Sequence, residues 1–164
     1  MEYSLVESDY VQTPEWCAKD MIDFYLPVGR ILDPCRGENK VFYNLLKGCD
    51  WCEITEGIDF FENNAVYDWI IGNPPYSIFY DWMKHSYELA ENIVYLLPSF
   101  KVFNALGLIR MYKEFGWIKH IRIYDVGKRI EWSRSRPIMA TWFQKGYFGD
   151  TSWSVYGQNS EKAR

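Results

Sequence analysis

Acidic side chains and one glycine stand at spacings that could build a ligand site. Asp33 and Gly37 follow a short apolar stretch, and Glu53 lies about twenty residues beyond them. α/β nucleoside-binding units place a carboxylate at that distance to bind ribose hydroxyls. Asp59 directly precedes Phe60, and this pair could bind the amine of an adenine and pack against its ring. Each residue alone is equally compatible with a turn or a core position, but three carboxylates at successive strand ends favour a nucleoside ligand.

The glycine spacing indicates how such a nucleoside would be held. The sequence contains neither Gly-x-Gly-x-x-Gly nor a Gly-Lys-Ser/Thr phosphate cradle. A glycine at position 37 still allows the backbone to approach a ligand closely. The pattern therefore predicts a nucleoside that is not held by its phosphates, such as an adenosine joined to another group.

The tetrapeptide Asn73-Pro74-Pro75-Tyr76 follows the apolar run 67–72. Prolines end strands, and two adjacent prolines make a stiff turn, so a purely structural role is one interpretation. At average residue usage, however, the chance of finding this tetrapeptide in a chain of this length is on the order of 10⁻³ or less. Its position at the end of an apolar strand indicates a site.

The elements that must position these residues alternate between strands and helices. Strands are predicted at residues 31–32, 50–54, 67–73, 92–99, 117–126 and 137–148, and helices at 14–26, 41–46, 79–91 and 104–115. Thr13 is expected to cap the first helix, with Pro14 as its first residue. The alternation predicts an open, mostly parallel α/β sheet with helices on both faces. The last two strands have no helix between them, which predicts an antiparallel edge strand.

Composition narrows the class of protein. The 164 residues suffice for one domain, and 48% hydrophobic and 24% charged residues are typical of a globular protein. No apolar run reaches the length of a membrane span and the first ten residues are acidic, so we expect a cytoplasmic protein without a membrane partner. Cys49 and Cys52 form a lone CxxC pair without a nearby histidine, so we expect reduced structural cysteines and no metal.

The charge is divided unevenly along the chain. The formal net charge is −4, but residues 1–100 carry 6 Lys and Arg against 17 Asp and Glu, whereas residues 101–136 carry 9 against 3. The segment 128–136, KRIEWSRSR, places four basic residues and a tryptophan within nine positions and has no helical period. A solvated surface explains part of this pattern, but a basic, aromatic segment on an acidic body favours a nucleic-acid contact.

From residue 9 to about 148 the sequence resembles the S-adenosylmethionine-dependent amino-methyltransferases, specifically the adenine-N6 type, whose catalytic signature is (N/D)PP(Y/F). The segment TPEW and the loop LDPCRGEN match the motifs for the cofactor, and their order before NPPY resembles the gamma arrangement. Asn39 departs from the pattern, because a second glycine is usual there. The resemblance implies S-adenosyl-L-methionine bound by Tyr10, Thr13, Pro14, Asp33, Pro34, Gly37, Glu53, Ile54, Asp59 and Phe60.

The same resemblance implies a catalytic role for Asn73, Pro74, Pro75 and Tyr76. The N6 lone pair of adenine is delocalised, so two acceptors, the Asn73 side-chain oxygen and the Pro74 carbonyl, would bind the N6 hydrogens and free the lone pair for attack on the sulfonium methyl. Pro75 would keep Pro74 extended. Tyr76 would stack on a flipped base.

The resemblance also bears on the substrate. DNA is favoured over RNA, with contacts expected from Lys101, Lys128, Arg129, Trp132, Arg134 and Arg136. A packed surface tryptophan is an equal alternative for Trp132. A glutamine-amide protein methyltransferase and a non-catalytic protein of the same fold that binds nucleic acid are other interpretations.

The expected layout is one Rossmann-like methyltransferase domain over residues 1–164, with a seven-stranded sheet. Residues 1–28 would close over the cofactor, 29–148 would form the core, and 149–164 would be a peripheral tail. Fewer than twenty residues follow the last predicted strand, as in small phage-type enzymes without a separate target-recognition domain. Sequence preference would then be relaxed, be read by loops, or depend on a dimer or partner subunit.

Overall fold

The structure is a computed structural model of the chain, and it describes residue 6, residues 9–124 and residues 137–157. The helices of this part are α1 (Glu15–Tyr25), α2 (Val41–Leu46), α3 (Phe79–Leu89), α4 (Ser99–Val102) and α5 (Leu106–Phe115). The strands are β1 (Ile31–Asp33), β2 (Asp50–Trp51), β3 (Tyr67–Gly72), β4 (Ala90–Pro98), β5 (Ile118–Tyr124), β6 (Ile138–Gln144) and β7 (Ser152–Val155). Two 3-10 turns, Ile54–Glu56 and Phe60–Glu62, connect β2 to β3.

All seven strands belong to one sheet, in the order β2-β1-β3-β4-β6-β5-β7. β6 is antiparallel to its neighbours β4 and β5, and the remaining pairs of strands are parallel. The predicted fold class is therefore confirmed, with the antiparallel strand toward one edge of the sheet. The antiparallel strand β6 lies between β4 and β5, and β7 is the outermost strand on that side of the sheet.

Helices cover both faces of the sheet because the central strands are apolar on both sides. Along β4, Ile93 and Tyr95 pack in one core cluster with side chains of α3 and α5. Val94 and Leu96 pack in a second cluster with side chains of α1 and α2. This alternation follows from the period of two in a strand, and a strand buried on both faces reads as a continuous apolar run.

Helix α1 begins at Glu15, one residue later than predicted. Its cap is Pro14, whose carbonyl accepts hydrogen bonds from the backbone N–H groups of Cys17 and Ala18. The expectation that Thr13 caps the helix is wrong, since no side chain caps this end of α1. Thr13 instead lies buried before the helix, and the extended conformation of Pro14 separates it from the first turn.

The segment that follows β6 contributes to the sheet, which the sequence analysis did not predict. Ser152–Val155 forms β7 and pairs in parallel with β5, so that Trp153 lies opposite Ile121. The strand has four residues, two of them serines, and its first two side chains are exposed. Such a short polar segment has no hydrophobic periodicity, and short edge strands are common in natural sheets.

A largely buried ion pair attaches α1 to the sheet. The carboxylate of Asp20 accepts hydrogen bonds from Arg122 Nε at 2.5 Å, from Arg122 Nη2 at 2.8 Å and from the Tyr124 hydroxyl at 2.7 Å. On the same helix Asp23 pairs with Lys19 in solvent, where both side chains are more than half exposed. The two aspartates therefore form a matched pair that differs in burial.

We expect Asp20→Ala to lower the free energy of unfolding by about 3 kcal/mol, because it leaves a largely buried guanidinium without its partner. Asp23→Ala should change it by less than about 1 kcal/mol, as is usual for an exposed ion pair. Urea unfolding of both variants measures the difference. Equal effects of the two substitutions would contradict the structural role given to Asp20.

Candidate active site

Two loops that carry predicted site residues lie side by side at the carboxyl edge of the sheet. One follows β1 and the other follows β3, and these neighbouring strands are parallel. From β1 the chain moves outward to β2, whereas from β3 it moves in the opposite direction to β4. Ligands of open α/β sheets bind where the strand order reverses in this way. The structure brings the two loops together at that point.

Gly72, the last residue of β3, allows the loops to approach each other closely. A methyl group at this position would lie 3.0 Å from Cδ of Pro34, which is tighter than ordinary van der Waals contact. Next to this contact the Cys35 thiol donates a hydrogen bond to the backbone carbonyl of Asn73, with 3.0 Å between sulfur and oxygen. Burial raises the pKa of the Cys35 thiol, so that it stays protonated as the donor. The two loops therefore form one packed unit.

A cavity of about 610 Å³ opens beside these loops. Its volume falls within the range of small-molecule and cofactor sites. Residues 9–13, here called the N-terminal strap, form part of its wall. The predicted site residues that line it are Tyr10, Thr13, Pro34, Gly37, Glu53, Ile54, Asp59, Phe60, Asn73 and Pro75.

Glu53 joins the loop after β1 to the segment after β2. One carboxylate oxygen accepts a hydrogen bond from the backbone N–H of Gly37 at 2.8 Å, and the other accepts from the backbone N–H and hydroxyl of Thr55. Gly37 has a φ of +65°, a conformation that favours glycine. The Glu53 carboxylate is thus fixed on the cavity wall, where its remaining lone pairs can accept from hydroxyl groups.

Arg36 reinforces the same connection, and sequence reasoning missed it. Its guanidinium lies 3.5 Å from the ring centroid of Trp51 and forms an ion pair with Glu56. The Arg36 side chain is 5% exposed and lines the cavity. Cation–π contacts of this kind are stabilising when desolvated. The only signal was a basic residue inside the loop, and the sequence did not identify Trp51 as its partner.

Asp59 and Phe60 lie together on the cavity wall, as their adjacency implies. Asp59 Oδ1 accepts a hydrogen bond from the backbone N–H of Phe61 at 2.9 Å and so caps the 3-10 turn Phe60–Glu62. Phe60 is 2% exposed and packs on Trp82, with 4.3 Å between ring centroids. Phe60 is therefore mainly a core residue with an edge at the cavity. A contact with a ligand stays a prediction for both residues.

The turn at residues 73–76, here called the NPPY turn, is held by polar contacts on several sides. Asn73 Nδ2 donates a hydrogen bond to the Val11 carbonyl at 3.0 Å, and Asn73 Oδ1 accepts one from the Tyr76 hydroxyl at 2.6 Å. Lys101 Nζ donates to the Tyr76 carbonyl at 2.9 Å. Asn73 lines the cavity, and its amide contacts both the strap and the NPPY turn.

The other predicted site residues do not line the cavity: Pro14, Asp33, Pro74 and Tyr76. Asp33 is fully buried, and its Oδ1 would lie 3.5 Å from a methyl group at position 72. Pro74 is buried as well. Tyr76 directs its hydroxyl toward Asn73 and toward the Leu96 carbonyl. Direct contacts of these four residues with a ligand stay predictions.

The predicted nucleic-acid contacts are only partly within the described residues. Lys101 lies on α4 and reaches the NPPY turn through its bond to the Tyr76 carbonyl. The other members of this set lie outside the described residues, so their roles stay predictions. They are Lys128, Arg129, Trp132, Arg134 and Arg136.

The strap is the part of the site that sequence reasoning identified least well. Asp9 accepts hydrogen bonds from the backbone N–H and the hydroxyl of Ser77, directly after the NPPY turn. Val11 holds the Asn73 amide through its backbone carbonyl. Contacts between residues more than sixty positions apart leave no local pattern, and a main-chain carbonyl leaves none in any sequence.

The four cysteines are free thiols, and Cys17, Cys49 and Cys52 are buried. Burial raises the pKa of Cys49 to about 11 and also raises that of Cys52, which fits a structural role for the CxxC pair. Across the part of the chain that the structure describes, no group of three or more His, Cys, Asp or Glu side chains could hold a metal ion. None of the helices in that part has the length and apolar character needed to cross a bilayer.

Comparison with known proteins identifies the fold. No family model and no curated protein matches the sequence. The methyltransferase subunit of the type I restriction-modification system from Streptococcus thermophilus superposes with a TM-score of 0.68 at 14% identity, over 89% of this chain and 47% of that one. A Listeria monocytogenes protein assigned to the class I S-adenosylmethionine-dependent methyltransferases gives 0.63 at 11%, over 93% and 68%. A Pyrococcus horikoshii protein assigned as an RNA methyltransferase gives 0.54 at 14%, over 88% and 92%.

These similarities define the fold of the chain as that of the class I methyltransferases. The chain spans about half the length of the Streptococcus subunit and about two thirds of the Listeria protein. At 11% to 14% identity, the resemblance concerns the path of the backbone, and the chemistry must be argued from the site.

The buried carboxyl of Asp33 should make stability depend on pH. Burial raises its pKa to about 7, whereas an unfolded aspartate titrates near 3.9. Between these values the unfolded chain has released the proton and the folded chain has not. The contribution of Asp33 to the free energy of unfolding should therefore fall as the pH rises from 4 to 7, by an amount on the order of 4 kcal/mol, and level off above pH 7.

Asp33→Asn should remove this contribution. Relative to the wild type, the variant should therefore become progressively more stable as the pH rises from 4 to 7. Urea titrations across pH 4 to 8 measure it, with Asp23→Asn as the exposed control. Curves for wild type and Asp33→Asn that stay parallel over this interval would contradict the raised pKa.

Proposed function

We propose that this chain is an S-adenosylmethionine-dependent methyltransferase that transfers a methyl group to N6 of adenine in DNA. The observation that carries the proposal is that Asn73 and the carboxylate-bearing loops line a single cavity. A cofactor and an acceptor amine bound there would meet. The fold shared with class I methyltransferases, among them a type I restriction-modification subunit, supports it.

The cavity suits an adenosine cofactor without phosphates. Glu53 presents an oriented carboxylate for ribose hydroxyls, and Gly37 leaves room for close approach of the backbone. Asp59 and Phe60 would receive the adenine amine and ring, and Ile54 would pack against that ring. S-adenosylmethionine supplies an activated methyl group on its sulfonium, so the protein contributes positioning and electrostatics.

The NPPY turn would activate the acceptor. The N6 lone pair of adenine is delocalised into the ring and is a weak nucleophile. Asn73 Oδ1 and the Pro74 carbonyl would accept the two N6 hydrogens and draw the nitrogen toward a pyramidal geometry, which frees the lone pair for attack on the methyl group. Pro75 restricts Pro74 to extended backbone and so keeps its carbonyl in one direction.

The charge pattern supports a nucleic acid as the substrate, and the sequence resemblance favours DNA over RNA. An adenine in a duplex must be flipped out, which costs a few kcal/mol that phosphate contacts can offset. The basic segment 128–136 is suited to such phosphate contacts. One structural neighbour is the methyltransferase subunit of a type I restriction-modification system. Target recognition would rest on loops or on a partner subunit.

The direct test incubates the protein with methyl-labelled S-adenosylmethionine and, in separate reactions, duplex DNA, single-stranded DNA, RNA and a protein extract. We expect label in N6-methyladenine after digestion of the DNA. Label confined to RNA or to a glutamine amide would redirect the proposal to that substrate, and no label in any reaction would overturn it.

Asn73→Ala should reduce methyl transfer by at least about 100-fold, since it removes an acceptor that acts on the reacting amine. Affinity for S-adenosylhomocysteine, measured by calorimetry, should change by less than about threefold because the residues assigned to the adenosine remain. Asn64→Ala, at an exposed asparagine, is the control. Turnover that survives in Asn73→Ala would refute the role of this residue.

Replacing Arg129, Arg134 and Arg136 together by alanine should weaken DNA binding and flatten its dependence on salt. Each lost phosphate contact makes the negative slope of log K against log salt concentration shallower by about 0.9. A matched triple variant at Lys19, Lys84 and Lys113 should keep the slope. If both variants retain the wild-type slope, segment 128–136 does not contact phosphates.

A further inference from the structure

The amide of Asn73 has a defined orientation because its two ends have different partners. The Val11 carbonyl can only accept a hydrogen bond, so the side that faces it, at 3.0 Å, must be the NH₂ group. The opposite side then carries Oδ1. A flipped amide would bring two acceptor oxygens together at Val11 and would lose that bond.

The Tyr76 hydroxyl fixes the same orientation from the other side. It donates to Asn73 Oδ1 at 2.6 Å, while its distance to the Leu96 carbonyl is longer, at 3.3 Å. A hydroxyl has one proton to donate, and burial raises the pKa of Tyr76, so the hydroxyl keeps that proton. Oδ1 has two acceptor sites, and Tyr76 occupies one of them.

The strap that presents the Val11 carbonyl is itself tied to the NPPY turn. Asp9 Oδ1 accepts from the backbone N–H of Ser77 at 2.9 Å, and Asp9 Oδ2 accepts from the Ser77 hydroxyl. The neighbouring strap residues Tyr10 and Gln12 line the cavity. One short segment therefore walls the cavity and holds the amide.

We propose that the N-terminal strap and the Tyr76 hydroxyl are positioning elements for the Asn73 amide, and that through the strap the binding of the cofactor and of the acceptor strand are coupled. This inference rests on the proposed function and deepens it. The strap then serves the acceptor side of the site as well as the cofactor. Tyr76 acts through Asn73 by its hydroxyl, a role separate from any stacking by its ring.

The first test uses Tyr76→Phe, which keeps the ring and removes the hydroxyl. We expect kcat to fall about 3- to 10-fold, the effect of one neutral hydrogen bond. KM for the oligonucleotide should stay within about twofold because the ring remains. Tyr80→Phe, an exposed tyrosine on α3, is the control and should keep wild-type kcat. A kcat in Tyr76→Phe equal to that of wild type would overturn the role of the hydroxyl.

The second test uses Asp9→Ala and measures binding as well as turnover. An oligonucleotide with a target adenine is titrated with and without saturating S-adenosylhomocysteine. In the wild type we expect affinity to rise about fivefold or more with the cofactor product, a typical size for coupling between sites. In Asp9→Ala the ratio should approach one, whereas Asp23→Ala should keep the wild-type ratio. An unchanged ratio in Asp9→Ala would overturn the coupling.

A double variant separates positioning from a general loss of structure. Asp9 ties down the strap whose Val11 carbonyl holds the Asn73 amide, and Tyr76 holds the same amide directly. Their effects on kcat should therefore be non-additive when combined. Effects that simply multiply would contradict a shared target. If Asp9→Ala lowers the thermal midpoint strongly, Ser77→Ala removes one bond to Asp9 and replaces it in the cycle. Wild-type protein without activity on any polymer would overturn the proposed function instead.

Discussion

The site depends on the contact between the ends of two adjacent parallel strands, β1 and β3. Neighbouring strands lie only about 4.8 Å apart, so the loops that leave them compete for space. Gly72 resolves this competition because a side chain there would press on Pro34. The Cys35 thiol can then reach the Asn73 carbonyl. The cavity and the NPPY turn have fixed relative positions because these two strand ends are packed together.

Around this contact, side-chain carboxylates organise the backbone of the loops. Glu53 and Asp59 each accept from main-chain N–H groups, at Gly37 and Phe61 respectively. A phosphate-binding loop uses such N–H groups for its ligand. Here at least part of that donor capacity is satisfied within the protein. This agrees with a ligand that needs acceptors for its hydroxyl and amine groups.

The sequence predicted those parts of the structure that have a local pattern. Apolar runs located β3 and β4, and the stiffness of Pro74-Pro75 located the turn. It did not predict β7, whose stability comes from pairing with β5, or the cap at Pro14, which depends on the conformation of a single residue. The bonds of Asp9 and Val11 to the turn join distant parts of the chain, and only the fold brings them together.

The charges of the cavity complement the cofactor and substrate of the proposed function. Among the described residues, its lining includes four carboxylates, Asp9, Glu38, Glu53 and Asp59, and one basic side chain, Arg36, which is paired with Glu56. An acidic wall favours a sulfonium cation and opposes a polyanion at short range. A nucleic acid would therefore approach from the side of the NPPY turn, where Lys101 lies, and only the extruded base would enter. In the proposed function, the uneven charge along the chain would keep the cationic sulfonium and the polyanionic nucleic acid apart except at the atom where the methyl group is transferred.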